Sequence, residues 1–364
     1  MKKSSKKQQG GTVAESKPAQ VVGLDLGDRY SHYCMLSSTG EAMEEGRIQT
    51  TSALIEKHFG SEPRMRIALE ACTHSAWVSR LLKGYGHQVI VANPRKIPTL
   101  TKSESKNDRN DAEQLARMAA FDPKLLHGIE HRSVERQQDL NLIHTRSVLV
   151  RARTMLINSA RGLVKSAGQR LPSCSSEAFP EKVAAAVPPA LKAACTPLLK
   201  QIAQMNQTID VMDKQIDRLD KKYPEITVLR TAPGVGPVVA ACYVLTLDSP
   251  QAMKTNRQAG AYLGLRPRQQ KSGDSDPQCG ITRMGNTYLR SLLVQSAQYI
   301  LGRYGSDSEL RRWGLKLAAS GGKRGKKRAV VAVARKLSVT LLSMWRNRKK
   351  FEPFPHTVAQ LATV

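Results

Sequence analysis

Two aspartates three residues apart, Asp108 and Asp111 within Lys106–Arg117 (KNDRNDAEQLAR), constrain this chain more than any other stretch. On an α-helix that spacing sets both side chains on one face, about a turn apart. Neighbouring carboxylates repel each other and attract protons, so the arrangement is costly unless a cation is shared. A plainer reading makes Asp108 the helix N-cap and Asp111 a first-turn acid favoured by the helix dipole. Two upstream acids weigh against it. Asp25 stands at the end of the apolar run Val21–Leu26 (VVGLDL), and Glu70 follows the run Arg66–Leu69 (RIAL). Singly, Asp25 is a turn former before Gly27 and Glu70 an exposed strand end; all four acids in this order are harder to assign to chance.

The runs around them predict a sheet. Val21–Leu26, stopped by Gly27, reads as a buried central strand. Tyr30–Leu36 alternates loosely and reaches a turn at Ser38–Gly40, which predicts a second strand antiparallel to the first. Arg47–Thr50 is a third candidate. A short helix, the strand Arg66–Leu69, a helix over Ala76–Lys83 closing at Gly84, and the strand Gln88–Ala92 (QVIVA) follow. Asn93-Pro94 ends that strand, and a basic linker, Arg95–Lys106, leads to the acid-bearing helix. Antiparallel strands first, then strands alternating with helices, fit an α/β layer of the ribonuclease-H type. There Asp25 and Glu70 end adjacent central strands and the helix lays Asp108 and Asp111 against them. Four such carboxylates imply Mg²⁺ or Mn²⁺, hard cations that prefer oxygen ligands.

From Ser133 to about Val164 the pattern is helical, and Gly168–Pro180 interrupts it. The seam Ile202, Met205, Ile209, Met212, Ile216, Leu219, Tyr223 then steps by threes and fours, the spacing of a coiled coil. An intermolecular coil and an antiparallel hairpin within one chain bury that stripe equally well. Thr231–Ala240 (TAPGVGPVVA) sets Gly234 and Gly236 in a tight turn between helices. It has the form of a helix-hairpin-helix, where backbone N–H groups meet a phosphate, and equally of a plain helix–helix turn. A polar loop, Arg266–Gly280 (RPRQQKSGDSDPQCG), precedes a helix expected from Ile281 to about Leu301. The run Lys323–Arg328 (KRGKKR) precedes an apolar helix, Ala329–Met344. The expected divisions are a disordered basic tail 1–20, an α/β domain 21–124, a helical coiled-coil region 125–225, a mainly helical C-terminal domain 226–350 and a tail 351–364.

Charge narrows the partners. Lys plus Arg number 57 against 30 Asp plus Glu, a net +27, which favours a polyanion: nucleic acid first, an anionic membrane surface second. No apolar run has the length of a membrane span, and the N-terminus MKKSSKKQQGG lacks the apolar core of a signal peptide, so a soluble, cytoplasmic protein is expected. The six cysteines show no CxxC pair and no zinc spacing, and read as reduced. Aromatics at 5% argue against an extended stacking platform. Arg266, Arg268, Lys271, Arg283, Lys323, Arg324, Lys326, Lys327 and Arg328 are the candidate contacts to a nucleic-acid backbone.

Taken together, Asp25, Glu70, the KNDRNDAEQLAR stretch and the far C-terminal TAPGVGP…AGAYLGLRPRQQKSG…GITRMGNTYLR resemble the insertion-sequence transposases with an Asp-Glu-Asp-Asp motif. These are the bridge-RNA-guided recombinases, related to the Piv site-specific DNA invertase, and the resemblance runs from about Val21 to Trp345. It implies a RuvC-like N-terminal domain with Asp25, Glu70, Asp108 and Asp111 as catalytic metal ligands, a coiled-coil region, and a C-terminal transposase domain with a serine nucleophile. That serine falls on Ser272 in KSGDSD, ahead of Ser275. Where the family often has Gly-Ile-Ser-Lys, this chain has Gly280-Ile281-Thr282-Arg283, which makes Thr282 a poor nucleophile. The resemblance also implies donor and target double-stranded DNA, a guide RNA, and assembly as a dimer and then a tetramer, with a site composed from two subunits.

Three rival readings follow from the same residues. In a Holliday-junction resolvase or other nuclease the acids activate water and Ser272 has no chemical part. A sugar or acetate kinase, suggested by Asp25-Leu26-Gly27, would need a second phosphate loop, and none is found. A nucleic-acid-binding protein without catalysis would need none of the four acids.

Overall fold

β-Branched and leucine side chains buried on both sides make Val21–Leu26 the middle strand, β1, of a five-stranded sheet. The structure is a computed structural model describing residues 20–97, 107–273, 275, 277, 279–320 and 322–355. The basic tail before residue 20, most of the linker Arg95–Lys106 and the end of the C-terminal tail lie outside the described residues. Two compact units result, Met1–His131 and Arg132–Val364.

In the first unit β1 pairs antiparallel with β2 (Tyr30–Leu36), which pairs antiparallel with β3 (Ala42–Gln49). On its other side β1 runs parallel to β4 (Arg66–Glu70), and β4 parallel to β5 (Gln88–Ala92). The order β3-β2-β1-β4-β5 is the mixed sheet expected from the sequence. The third strand begins five residues earlier than expected. Residues 42–46 (AMEEG) are exposed or half-buried and held as an edge strand by backbone pairing, which leaves no periodic apolar signal. Helices α1 (Ser52–Phe59) and α2 (Ser75–Gly84) cover one face, burying Ile55, Phe59, Val78 and Leu82 against Val22, Leu24, Ile67 and Leu69. Each such side chain contributes about 1.5–3 kcal/mol of transfer free energy.

The other face carries α3 (Asp108–Phe121). Its small residues Ala112 and Ala116 lie directly over Gly23, where a Cβ would stand 1.9 Å from the Ala112 carbonyl oxygen and 2.5 Å from the Ala116 nitrogen. Helix and strand therefore touch backbone to backbone. Gly23→Ala should destabilise this unit by about 3 kcal/mol through overpacking. A urea midpoint unchanged from the parent would contradict that contact.

In the second unit α4 (Val134–Ser166) starts at Ser133, whose hydroxyl accepts from Arg136 N. A short α5 (Phe179–Ala184) leads to α6 (Lys192–Asp217), which returns antiparallel along α4. Arg146 pairs with Asp213, and Arg153 donates to Asn206 Oδ1 at 2.8 Å, so rising numbers on α4 meet falling numbers on α6. Ile202, Ile209, Met212 and Ile216 are buried and Met205 half-buried. The heptad stripe is thus covered inside the chain, as a hairpin. The helix ends at Asp217, and the last two seam residues, buried Leu219 and Tyr223, belong to α7 (Leu219–Lys222) and the turn after it.

The remaining helices are α8 (Glu225–Leu229), α9 (Pro237–Leu247), α10 (Gln258–Tyr262), α11 (Thr287–Leu301), α12 (Glu309–Ser320) and α13 (Gly325–Asn347). Every residue of α9 from Ala240 to Leu247 is buried, in one core with Leu140 and Ile143 of α4, Leu293 of α11 and Leu337 of α13. Tyr243, wholly buried there, donates its hydroxyl proton to Ser338 O at 2.6 Å, which satisfies the one polar atom it brings inside. Two expectations change. The helix expected from Ile281 starts at Thr287, because Arg283 and Gly285 take left-handed backbone (φ 57° and 72°) and Asn286 caps Leu289 N. The basic run is not separate from the apolar helix, for Gly325–Arg328 already form the first turn of α13. Among the described residues no helix is long and apolar enough to cross a membrane.

Candidate active site

Side chains alternate along a strand, so one face of the sheet can be read off the register. Val21 and Ala68 pack with Leu115 and Ala119 of α3, and Cys34 and Leu36 pack with Ala112 and Ala116. Gly23, beneath α3, pairs with Cys34 on one side and Ala68 on the other. Two residues further along each strand, on the same face, stand Asp25, His32 and Glu70. Asp25 pairs with His32 across β1 and β2. The parallel register Leu24–Leu69 carries on by one residue to set Asp25 beside Glu70 at the C-terminal ends of adjacent strands.

The first turn of α3 opens onto this edge. Asn107, not Asp108, is the N-cap, its side chain accepting from Arg109 N at 3.2 Å, which removes the plainer role for Asp108. Asp108 Oδ2 lies 3.7 Å from His32 Nδ1 and so reaches the Asp25 row, with its side chain 65% exposed. Asp111 is only 5% exposed, on the sheet side of the helix. Arg109, between them, turns outward to pair with Glu45 of β3. A carboxylate as buried as Asp111 is kept only where donors or cations compensate its lost hydration.

Cys72 reports on the two strand-end acids. Its sulphur, 3.9 Å from the Leu26 carbonyl oxygen, has its pKa pushed up chiefly by desolvation and further by the Glu70 and Asp25 carboxylates. Asp25, Glu70 and, through His32, Asp108 thus lie along one edge, with Asp111 buried in the adjoining helical turn, and an all-oxygen donor set suits a hard divalent cation. Among the described residues no three His, Cys, Asp or Glu side chains stand close enough to cage a metal. The acids are gathered at an edge rather than drawn to a point. Sequence reasoning missed His32; the alternation of YSHYCML against VVGLDL carries the signal that sets it across from Asp25.

Ser272 belongs to the second unit. It lies near the tip of an arm, Gly264–Gly285, that leaves the helical core and returns. Arg268 N donates to Gly280 O and Thr282 N to Arg266 O, both at 2.9 Å, and the tip closes by reciprocal Ser272–Ser275 backbone bonds around Gly273, φ 54°. Ser272 is exposed. The arm is locked at its root. A Cβ on Gly264 would stand 2.3 Å from Met284 N, and one on Gly285 2.0 Å from the Tyr262 carbonyl oxygen. Buried Arg290 of α11 donates to Leu263 O at 3.1 Å and Met284 O at 2.7 Å, joining both strands of the root. Burial, then the nearby Arg283 cation, lowers its pKa from the ordinary arginine value. Arg290→Met should leave two carbonyls without their donor, at about 1–3 kcal/mol, so that arm amides exchange about ten- to a hundredfold faster. Unchanged exchange at Arg268 and Thr282 would show the arm to be held otherwise.

The basic candidates divide. Arg268 and Arg283 from the arm, Arg324 just before α13, and Lys327 and Arg328 from α13 line a common groove of ≈ 1260 Å³. Arg266 turns to Gln269 (3.1 Å), and Lys271 and Lys326 do not line that groove; the Lys323 side chain lies outside the described residues. Gly234 and Gly236 do sit in the turn between α8 and α9. Gly234 takes φ 72° and packs on α11, with a Cβ position 2.9 Å from Ser296 O, so packing alone requires glycine there.

Two family profiles match this chain, the first running past the first compact unit into α4. Residues 22–168 match the transposase family profile of the IS110-type DEDD domain, and residues 226–311 match the Transposase IS116/IS110/IS902 family. The transposase for insertion sequence element IS1111A of Coxiella burnetii is 26% identical over 329 residues, 88% of this chain and 88% of its own length. A Pseudomonas aeruginosa protein named as a family 20 transposase is 29% identical over 309 residues, covering 80% and 87% of the two chains. A Sinorhizobium fredii protein named as a transposase, y4pF/y4sB, is 30% identical over 288 residues, covering 78% and 73%. The first profile spans all four acids and the second spans Ser272 and the arm. The chain belongs to the IS116/IS110/IS902 family of insertion-sequence transposases, enzymes that cut and rejoin DNA.

Proposed function

We propose that the chain transposes its element by serine chemistry, with Ser272 as the nucleophile. Ser272 Oγ attacks a DNA phosphodiester, the bond from phosphorus to the displaced sugar oxygen breaks, and the hydroxyl proton is passed on as that oxygen gains one. The phosphoserine link conserves the bond, so a new strand's hydroxyl reverses the attack and rejoins DNA without ATP. A serine hydroxyl is a weak nucleophile and needs activation and charge neutralisation at phosphorus. Asp25, Glu70, Asp108 and Asp111 would hold Mg²⁺ or Mn²⁺, which when bound supplies Lewis-acid stabilisation and a template. The arm presents the serine at an exposed tip on a locked root, which orients it without burying it.

The observation that supports this reading most is the acidic edge itself: Asp25 beside Glu70, Asp108 reaching His32 of the same row, and Asp111 buried in the adjoining helical turn. Choice of site is delegated to a guide RNA paired with donor and target DNA, leaving the protein to hold backbones through Arg266, Arg268, Lys271, Arg283 and the Lys323–Arg328 run. Backbone N–H groups at Gly234 and Gly236 add a phosphate contact. The working species is a dimer that pairs into a tetramer, with acids and serine drawn from different subunits.

The acids and the serine lie in different compact units, and that favours one second reading: a resolvase-like nuclease in which the acidic edge activates water alone. Incubating the full chain with DNA of its element ends, its flanking RNA and Mg²⁺, then denaturing, decides between them. The transposase reading expects DNA covalently linked to the peptide holding Ser272; free cleaved ends with no adduct support the nuclease.

A further inference from the structure

The groove beside the arm combines two linings that double-stranded DNA does not match together. Cations line it from both sides: Arg268 and Arg283 on the arm, Arg324 just before α13, and Lys327, Arg328 and Arg335 on α13. Apolar side chains stand among them, Pro267 and Ile281 on the arm, Val331 and Val339 on α13, and Trp313 on α12. Lys336 Nζ lies 4.7 Å from the Trp313 ring centroid, a cation–π contact. Among the described residues no carboxylate lines it.

A duplex turns its phosphates outward and keeps base faces stacked inside, so it satisfies the cations and leaves the apolar side chains facing water. An unpaired strand offers both phosphates and π-faces, which meet both kinds of side chain in this groove. The space, ≈ 1260 Å³, exceeds the roughly 300–1,000 Å³ of a small-molecule cleft, as a short stretch of polymer requires. The low aromatic content rules out an extended platform and leaves room for one tryptophan at one point.

We propose that this groove holds a single unpaired nucleic-acid strand, its phosphates on the Arg and Lys side chains and its bases on the apolar ones, Trp313 among them. The strand then runs along the wall of the arm that carries Ser272. This rests on the nucleic-acid part of the proposed function and adds the pairing state of what is bound.

Photo-cross-linking tests it on the full chain. The probes are a short oligodeoxynucleotide carrying 5-iododeoxyuridine, the same strand annealed to its complement, and a ribo-oligonucleotide carrying 5-iodouridine, with adducts mapped by mass spectrometry. The single strands should label the peptide containing Trp313 at least tenfold more than the duplex, and the deoxy and ribo arms tell which strand is preferred. Arg328→Glu with Arg335→Glu should cut that labelling at least tenfold; should the pair fail to fold by circular dichroism, Arg328→Gln with Arg335→Gln reads the same loss. Equal or stronger labelling by duplex, or labelling elsewhere with none on groove peptides, overturns the proposal. Because cross-linking needs neither cleavage nor joining, a chain that labels at Trp313 but never forms a Ser272 adduct sinks the serine reading and leaves the groove standing.

Discussion

Ser272→Ala should abolish the covalent protein–DNA adduct and slow strand joining by about 10⁴-fold or more, the scale seen when an enzyme loses its nucleophile. DNA binding and melting temperature should stay at parent values. The serine is exposed at the arm tip, and among the described residues the tip is closed by backbone bonds rather than by the serine hydroxyl. Ser275, its backbone partner, makes the control. Ser275→Ala should retain the adduct, since the resemblance that selects Ser272 passes it over. Should Ser272→Ala cut and join normally while Ser275→Ala is dead, the nucleophile has been placed three residues too early. If both variants cut DNA at parent rate without adducts, the acids work with water and the nuclease reading stands.

Asp25→Asn should lower strand cleavage by about 10³-fold, equivalent to roughly 4 kcal/mol of transition-state stabilisation. Stability should move the opposite way. Asp25 shares its edge with Glu70, and like charges held together strain the folded state until a cation relieves them. Without divalent ions the variant should therefore melt at or above the parent temperature. Adding Mg²⁺ at a hundred times its dissociation constant should stabilise the parent by about 2.7 kcal/mol and the variant far less. A variant that melts well below the parent in the absence of metal would mean that Asp25 holds the fold, and its lost activity would say nothing about chemistry.

The strands that bear the acids were legible because burial leaves a mark in sequence: VVGLDL, RIAL and QVIVA are apolar runs, and each became a strand of the central sheet. Asp25 and Glu70 fall at neighbouring strand ends because β1 and β4 pair in parallel, which the alternation of strands and helices already implied. The first half of β3 left no mark, since an exposed edge strand is held by main-chain bonds that any sequence makes. Heptad spacing recorded that a stripe is buried, yet not against what; the paired residues Arg146–Asp213 and Arg153–Asn206 answer that within the chain. The arm was least legible. Its shape comes from left-handed Arg283, Gly264 and Gly285 and from one buried arginine reaching two carbonyls far apart in sequence, none of which shows as periodicity. The direction of Ser272 toward catalysis came from family resemblance alone, because a serine in a polar loop is common.

The most direct measurement is where a divalent ion binds. Crystals of the full chain grown with Mn²⁺ and measured at the manganese absorption edge should give an anomalous peak bounded by Asp25, Glu70, Asp108 and Asp111, lost in crystals of Asp25→Asn. A peak anchored on other residues, or none at the strand ends at millimolar Mn²⁺, would contradict the account.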